Sequence, residues 1–199
     1  WEPTGGNYDP ATGMITFYRI HMSKYTVVKN KKKFSDVENS WAKDEINNLL
    51  GKGIADASKE FRPTDAVTRE EFAAWICRAY GLKEEGHNAD FADIDKSNPY
   101  YKEITNASTH GLVFGKTESE FAPKEAITRE EMATLVARAI SNYNDVKVPN
   151  DGETRFASLV NEENTSDWAV DSVAMMIDMG IMETDDGGNF NPQEPISKE

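Results

Sequence analysis

The stretch FRPTDAVTREE, from Phe61 to Glu71, occurs three times in the chain with small changes. Residues 121–131 read FAPKEAITREE, and residues 190–199 read FNPQEPISKE. Each copy has a proline two residues after the phenylalanine and a hydroxyl residue seven residues after it. Because self-similarity at a period of roughly 60 residues is typical of repeat proteins, we predict an array of similar units.

The second half of the stretch predicts the start of a helix. Thr68 is a favoured N-cap residue, and Glu71 three residues later completes a capping box; Thr128 and Glu131 repeat the pair. A basic residue follows each hydroxyl residue, although a cation there opposes the helix dipole. Free backbone donors, the positive end of the dipole and a guanidinium together favour an anion site. The alternative is a solvated side chain whose stem packs on a neighbour. The three basic residues are Arg69, Arg129 and Lys198.

Composition excludes several classes of function. The chain has 199 residues, of which 38% are hydrophobic and 29% charged, which is ordinary for a globular protein. Its net charge of −13 argues against binding to nucleic acid or to an anionic membrane. Cys77 is the single cysteine, which rules out an intramolecular disulfide, and we expect it to be buried. No apolar run is long enough to span a bilayer. The three histidines show no ligand spacing, so we predict neither a metal nor another cofactor.

The first 30 residues differ from the rest of the chain. Alternating apolar residues in GMITFYRI (13–20) predict a strand, and KYTVV (24–28) is a second candidate. Two strands do not form a stable unit alone, so we interpret residues 1–30 as a β remnant of an upstream domain followed by a linker. The chain opens on Trp1 rather than Met, and we therefore expect it to be a piece of a longer protein.

Three units follow, which we place at residues 34–82, 91–142 and 156–199. They open with FSDV, FADI and FASL, and apolar residues at i, i+4 and i+7 then predict a first helix in each. A glycine follows each predicted helix, where a left-handed residue is favoured. A second helix follows the capping box, except in the third unit, where the chain ends before it. One such hairpin cannot bury its apolar face alone, so the units must pack on one another.

These units resemble the S-layer homology (SLH) domain triplet of bacterial cell-surface proteins. The family pattern runs F-x-D-V, Trp-Ala, Gly-Ile or Gly-Leu, F-x-P and I-T-R-A-E, and the resemblance covers about 34–199. It implies a mainly α fold of three helix–loop–helix SLH repeats in a pseudo-threefold spindle, a central helix bundle with prongs, preceded here by the short β remnant. It also implies non-covalent anchoring to the bacterial cell wall, without catalysis. The ligand would be a secondary cell-wall polysaccharide, typically pyruvylated, held in grooves between repeats.

The resemblance also designates charged binding residues. The arginine of the TRAE-like stretch would face the acidic sugar, which points to Arg69 and Arg129. Lys198 would form a weaker site, because lysine lacks the bidentate fork that grips a carboxylate. Asp36 and Asp93 would orient the arginine or bond sugar hydroxyls. Their alternative role is to form turns and cap the following helix.

Aromatic side chains and glycines complete the predicted binding set. Trp41, Tyr101 and Trp168 would offer apolar planes to sugars; packing in the helix core is the alternative for the two tryptophans. Pro99 occupies the position of the family's tryptophan in the second repeat. The glycines of the set are Gly53, Gly111 and Gly180.

Other functions stay open at this point. The partner is cell-wall polysaccharide or peptidoglycan, and self-association through the truncated third repeat is a further expectation. The location implied is extracellular, in the cell wall or S-layer of a bacterium, and we expect a Gram-positive one. The alternatives are a structural helical array for protein–protein assembly at the cell surface and a fragment of a polysaccharide-processing enzyme, which would need two carboxylates across a cleft. The segments DIDKSN (93–98) and TDDGGN (184–189) suggest calcium, but both lack the full EF-hand pattern.

Overall fold

The computed structural model describes residues 7–17, 24, 26–27, 33–57, 60–82, 91–144, 146–148 and 164–199. These residues divide into two compact units: a first unit from Trp1–Asp65 with Lys198–Glu199, and a second unit, Ala66–Ser197. The prediction of a mainly α, three-repeat fold is confirmed. The third repeat's FASL opening (156–159) lies outside the described residues. The helices among the described residues are α1 (Lys43–Gly51), α2 (Arg69–Ala79), α3 (Tyr101–Thr109), α4 (Arg129–Asn144) and α5 (Val170–Asp178).

A short hairpin precedes the helices in the first unit. Strand β1 (Asn7–Asp9) pairs antiparallel with β2 (Met14–Thr16). The strand predicted within 13–20 is confirmed over Met14–Thr16, whereas the described residues of the second candidate, 24–28, are not in a strand. The partner of β2 is β1. The partner lies upstream because the Asp9 carboxylate accepts hydrogen bonds from Ala11 N and Thr12 Oγ1, which closes a local turn.

The predicted capping boxes begin both second helices. The Thr68 hydroxyl accepts a hydrogen bond from Glu71 N, and the Glu71 carboxylate accepts one from Thr68 N at 3.0 Å. Thr128 and Glu131 make the same two bonds at the start of α4. Each box satisfies two helix-end donors reciprocally, so the chain leaves its extended segment at a fixed residue.

Each first helix ends at the glycine that the sequence predicts. In α1, Gly53 N donates to Leu50 O, and Ile54 N donates to Leu49 O, which is a Schellman motif. Such an end needs a left-handed residue, which glycine adopts without steric cost. The φ angles are 71°, 67° and 64° at Gly53, Gly111 and Gly180.

The second unit contains a closed ring of backbone hydrogen bonds between the three repeats. Val67 N donates to Ile196 O, Ile196 N donates to Ile127 O, and Ile127 N donates to Val67 O. Val67 and Ile127 are buried, and Ile196 is half-buried. These three residues precede the hydroxyl residue of each repeated stretch. The ring therefore joins the three copies directly before the point where a helix starts.

The core of the second unit crosses the repeat boundaries. Helix α2 packs against α3, and α4 packs against α5, so the second helix of one repeat lies on the first helix of the next. Buried apolar residues at these two contacts include Ile76 with Ile104, and Ala137 with Val173. Cys77 is buried in the first of these clusters, as predicted, and burial raises its pKa to about 11.

We predict that Thr105→Val stabilises the chain. The Thr105 hydroxyl is buried and has no hydrogen-bond partner among the described residues, and an unsatisfied buried polar group costs about 1–3 kcal/mol. Removing it should raise the free energy of unfolding, measured by urea denaturation. Thr134→Val is the matched control, because the Thr134 hydroxyl is equally buried but donates to Glu130 O at 2.9 Å. A gain in the control, or a loss in Thr105→Val, would contradict the assignment.

Candidate functional site

The Arg69 side chain is almost completely engaged by the second repeat. Its Nε donates to Phe121 O at 2.9 Å and its Nη2 donates to Phe114 O at 2.8 Å. Its Nη1 pairs with Glu131 Oε1 at 3.1 Å, and the guanidinium lies 5.0 Å from the Phe121 ring centre. The residue is 7% exposed, and burial lowers its pKa while the charge of Glu131 opposes that shift. Arg69 therefore acts first as a connector between two repeats.

Arg129 repeats most of this geometry one repeat later. Its Nε donates to Phe190 O and its Nη2 donates to Glu183 O, both at 2.7 Å. The guanidinium lies 4.7 Å from the Phe190 ring centre, but the side chain is only half-buried.

The backbone donors at these helix starts are already occupied. Arg69 N donates to Glu125 O, and Glu70 N donates to Pro123 O. At the start of α4, Arg129 N donates to Glu194 O in the same way. The expectation of free donors for an anion is therefore wrong at α2 and α4, because the F-x-P turn of the next repeat takes them. The ligand-binding role of the two arginines stays a prediction.

Lys198 lies in the first unit, where the same backbone contacts occur. Lys198 N donates to Asp65 O, and Glu199 N donates to Pro63 O. The Lys198 residue is half-buried. The F-x-P turn of the first repeat is therefore contacted by the third repeated stretch.

Asp36 and Asp93 each hold an F-x-P turn with both carboxylate oxygens. Asp36 accepts hydrogen bonds from Phe61 N at 2.9 Å and Arg62 N at 2.6 Å. Asp93 accepts from Phe121 N at 2.9 Å and Ala122 N at 2.7 Å. The residue after the phenylalanine is left-handed in every repeat, which places the two amides side by side. These residues are Arg62, Ala122 and Asn191, with φ of 59°, 58° and 53°.

The predicted aromatic planes are accessible. Trp41 is 80% exposed and Trp168 is 56% exposed, so the alternative of packing in the helix core is wrong. In each case the following alanine, Ala42 or Ala169, takes the buried position instead. Tyr101 is half-buried at the start of α3. The three predicted glycines lie in helix ends, as described above.

Sequence reasoning missed two buried carboxylates next to the arginines. Glu70 is 3% exposed and bonds Asn98 Nδ2 at 2.9 Å and the Lys124 ammonium. Glu130 is also 3% exposed and accepts hydrogen bonds from Ser166 N, Ser166 Oγ and Gln193 Nε2. Both glutamates follow the basic residue of the repeated stretch. That recurrence, Glu after Arg in two copies, was the signal that could have revealed them.

A polar groove lies on the surface above Glu70. Its volume is about 340 Å³. Asn98 and Lys124, both bound to Glu70, form part of its wall, so the groove lies where the first and second repeats meet. The other lining residues are Asp93, Asp95, Ser97, Pro99 and Pro123.

The described residues contain no group of three or more His, Cys, Asp or Glu side chains placed to hold a metal ion. In one suggested calcium loop, Asp185 Oδ1 already accepts hydrogen bonds from Gly187 N and Asn189 N. No helix in the described part of the chain is long and apolar enough to cross a membrane.

Comparison with known proteins agrees with a helical repeat domain of cell-surface proteins. The family model "S-layer homology domain" matches residues 33–73, 90–133 and 163–199, more than half of the chain. The chain belongs to the S-layer homology domain family.

Two relatives are enzymes and a third is a surface-layer protein. An amylopullulanase of Thermoanaerobacterium thermosulfurigenes is 33% identical over 97% of this chain and 10% of its own length. The exoglucanase XynX of Acetivibrio thermocellus is 32% identical over 96% of the chain and 17% of its own length. A surface-layer 125 kDa protein of Lysinibacillus sphaericus is 25% identical over 80% of the chain and 13% of its own length. The chain thus spans less than a fifth of these relatives. The matches support cell-surface anchoring, and no catalytic domain is shown.

We predict that Arg69→Ala lowers the free energy of unfolding by about 3–5 kcal/mol, because the Phe114 and Phe121 carbonyls lose buried, charge-assisted hydrogen bonds and Glu131 keeps only Lys116 as a cationic partner. Arg129→Ala should cost less, about 1–2 kcal/mol, because it removes two hydrogen bonds from a half-exposed side chain. Urea denaturation of the intact chain measures both values. Equal losses would show that the Arg69 ion pair adds nothing.

Acid should weaken the Asp36 turn. Burial raises the pKa of Asp36, but the bonds from the Phe61 and Arg62 amides and the Arg62 charge outweigh it, so the pKa lies below its ordinary value of 3.8. A lowered pKa adds stability above pH 3.8 that is lost as pH falls through the folded-state pKa. We therefore expect Asp36→Asn to be less stable than wild type at pH 7, with the gap closing below pH 3.8. Asp44→Asn, an exposed carboxylate on α1, is the control; an unchanged gap at low pH would contradict the prediction.

Proposed function

We propose that the chain anchors its parent protein to the bacterial cell wall by binding a secondary cell-wall polysaccharide in grooves between the repeats. The parent protein would act outside the cell, in the wall or surface layer, and we expect a Gram-positive source. The observation that carries the proposal is the polar groove at the junction of the first and second repeats, on a chain that belongs to the S-layer homology family.

The groove has the chemistry that a sugar needs. Asp95, Ser97 and Asn98 present carboxylate, hydroxyl and amide groups for sugar hydroxyls, and Lys124 adds a positive charge at the rim. The Lys124 side chain is 73% exposed even though its ammonium pairs with Glu70. Contacts of this kind recognise a ligand without any bond being made or broken, so the proposal includes no catalysis.

Exposed tryptophans add an apolar surface for sugar rings. Trp168 occupies in the third repeat the position that Pro99 has in the second, where Pro99 lines the groove. Aromatic rings offer a flat apolar face together with a polar edge, which suits partly hydrated ligands. Trp41 occupies the same position in the first repeat, within the first unit.

The charge of the chain determines how binding should respond to salt. A protein of net charge −13 gains no long-range attraction from an acidic polymer, so affinity must come from short-range contacts. Short-range, desolvated contacts are screened less by salt than exposed charge pairs. Pyruvylation of the polymer would supply the carboxylate for a local cation.

The test is co-sedimentation with purified sacculi of Lysinibacillus sphaericus and Thermoanaerobacterium thermosulfurigenes, before and after hydrofluoric acid removes the secondary polymer. We expect binding to need the polymer and to fall less than about tenfold between 50 and 300 mM salt. Ser97→Trp should reduce binding, because it fills the groove. Ser119→Trp is the control, an exposed serine outside the groove lining.

Each outcome points to one function. Equal binding to stripped sacculi would move the target to peptidoglycan. Equal binding by the two tryptophan variants would exclude this groove as the site. If the folded chain binds neither preparation, the anchoring proposal fails and a structural array for protein assembly replaces it.

A further inference from the structure

Among the arginines that the structure describes in the second unit, only Arg138 has a guanidinium with no hydrogen-bond acceptor on another described residue. Arg69 and Arg129 donate to backbone carbonyls, and Arg78 donates twice to Glu103. Arg138 is half-buried, and among the described residues neither a carboxylate nor a carbonyl takes a hydrogen bond from it. Because a guanidinium carries five N–H donors and partly buried donors are normally bonded, this exception needs an explanation.

Comparison with the preceding repeat shows what Arg138 has lost. Arg78 occupies the equivalent position on α2, where it pairs with Glu103 at 2.6 Å and lies 5.7 Å from the Tyr100 ring centre. Glu103 lies two residues after the start of α3, and Tyr100 lies one residue before it. The equivalent positions at α5, where partners of Arg138 would be expected, are Ser172 and Ala169. Neither side chain offers a negative charge or an aromatic face. The packing of α4 on α5 therefore keeps the arginine but removes both of its partners.

Arg138 lies instead against an exposed phenylalanine. Its guanidinium carbon is 4.6 Å from the ring centre of Phe114, and Phe114 is 53% exposed. The Phe114 backbone is held in place because its carbonyl accepts the Arg69 Nη2 hydrogen bond. A cation with unused donors and a fixed, accessible ring thus lie side by side. Burial lowers the pKa of Arg138 without a compensating carboxylate.

We propose that Arg138 and Phe114 form a subsite for one anionic sugar residue of the wall polymer. The guanidinium would take the sugar carboxylate in a bidentate pair, and the exposed part of the ring would cover the apolar face of the sugar. This inference rests on the proposed function and adds to it a second place on the chain, away from the polar groove. An acidic peptide would use the charge but leave the ring without a partner.

The decisive variant is Ser172→Glu, which restores the carboxylate found at Glu103. The new carboxylate should pair with Arg138 and compete with the ligand. The probe is a methyl hexoside that carries a pyruvate ketal, titrated by NMR with the Arg138 Nε–Hε and Phe114 ring signals as readouts. We expect the affinity to fall at least about tenfold in Ser172→Glu, while Ser172→Gln, its neutral isostere, binds like wild type.

Two further variants keep the test valid if Ser172→Glu does not fold. Arg138→Gln should also lose about tenfold in affinity. Arg78→Gln, the matched control, should lower the free energy of unfolding but leave the affinity unchanged. The unpyruvylated glycoside should bind more weakly than the pyruvylated one.

The opposite results would overturn the subsite. They are unmoved Arg138 and Phe114 signals at saturation, unchanged affinity in Arg138→Gln, or hexaglutamate binding as tightly as the glycoside. Co-sedimentation with sacculi distinguishes failure of the Arg138–Phe114 subsite from failure of the anchoring proposal. If wild type, Arg138→Gln and Ser172→Glu all sediment equally with polymer-bearing sacculi, the anchor stands and the subsite falls. If wild type does not sediment, both fall.

Discussion

The ring of three backbone hydrogen bonds through Val67, Ile127 and Ile196 is the constraint on which the second unit depends. Backbone groups withdrawn from water must find partners, and here each repeat supplies the partner for another. A ring of this kind needs all three copies at once, since one missing copy would leave a donor and an acceptor open. It also sets the position of the next residue, the helix cap. The repeated stretch therefore links the repeats to one another as well as starting a helix.

The charged residues beside the ring also link neighbouring repeats. The arginine after the cap reaches the F-x-P turn of the following repeat, and the glutamate after it is buried at that junction. An aspartate from the F-x-D-V opening then holds the amides of the turn. The Arg69 guanidinium follows a helix start, where the dipole opposes a positive charge, and these carbonyls and Glu131 stabilise it. Affinity for a polysaccharide would come from groups that are not used in contacts between repeats, such as the groove wall, the exposed tryptophans and Arg138.

The repeats share this framework but differ in the groups they place around it. The buried glutamate meets Lys124 and Asn98 at one junction and Gln193 and Ser166 at the next. The buried glutamate thus has a cationic partner at the first junction, whereas its described partners at the second are uncharged. The arginine on the second helix pairs with Glu103 in α2, whereas in α4 no acceptor for it lies among the described residues. Grooves built on one backbone plan therefore have different chemistry, so each groove has to be tested separately.

The local sequence was enough to predict the helices and their ends. Capping boxes, Schellman glycines and apolar spacing act within a few residues, so the starts of α2 and α4 and the end of α1 follow from short segments. The threefold recurrence also predicted a repeat protein, and the resemblance of its motifs indicated the family. The role of Arg69, the burial of Glu70 and the exposure of Trp41 required the tertiary structure. These properties depend on atoms about 60 residues away or on which neighbouring side chain fills the core. Contacts at that distance are decided by how the repeats dock, and no local pattern carries that information.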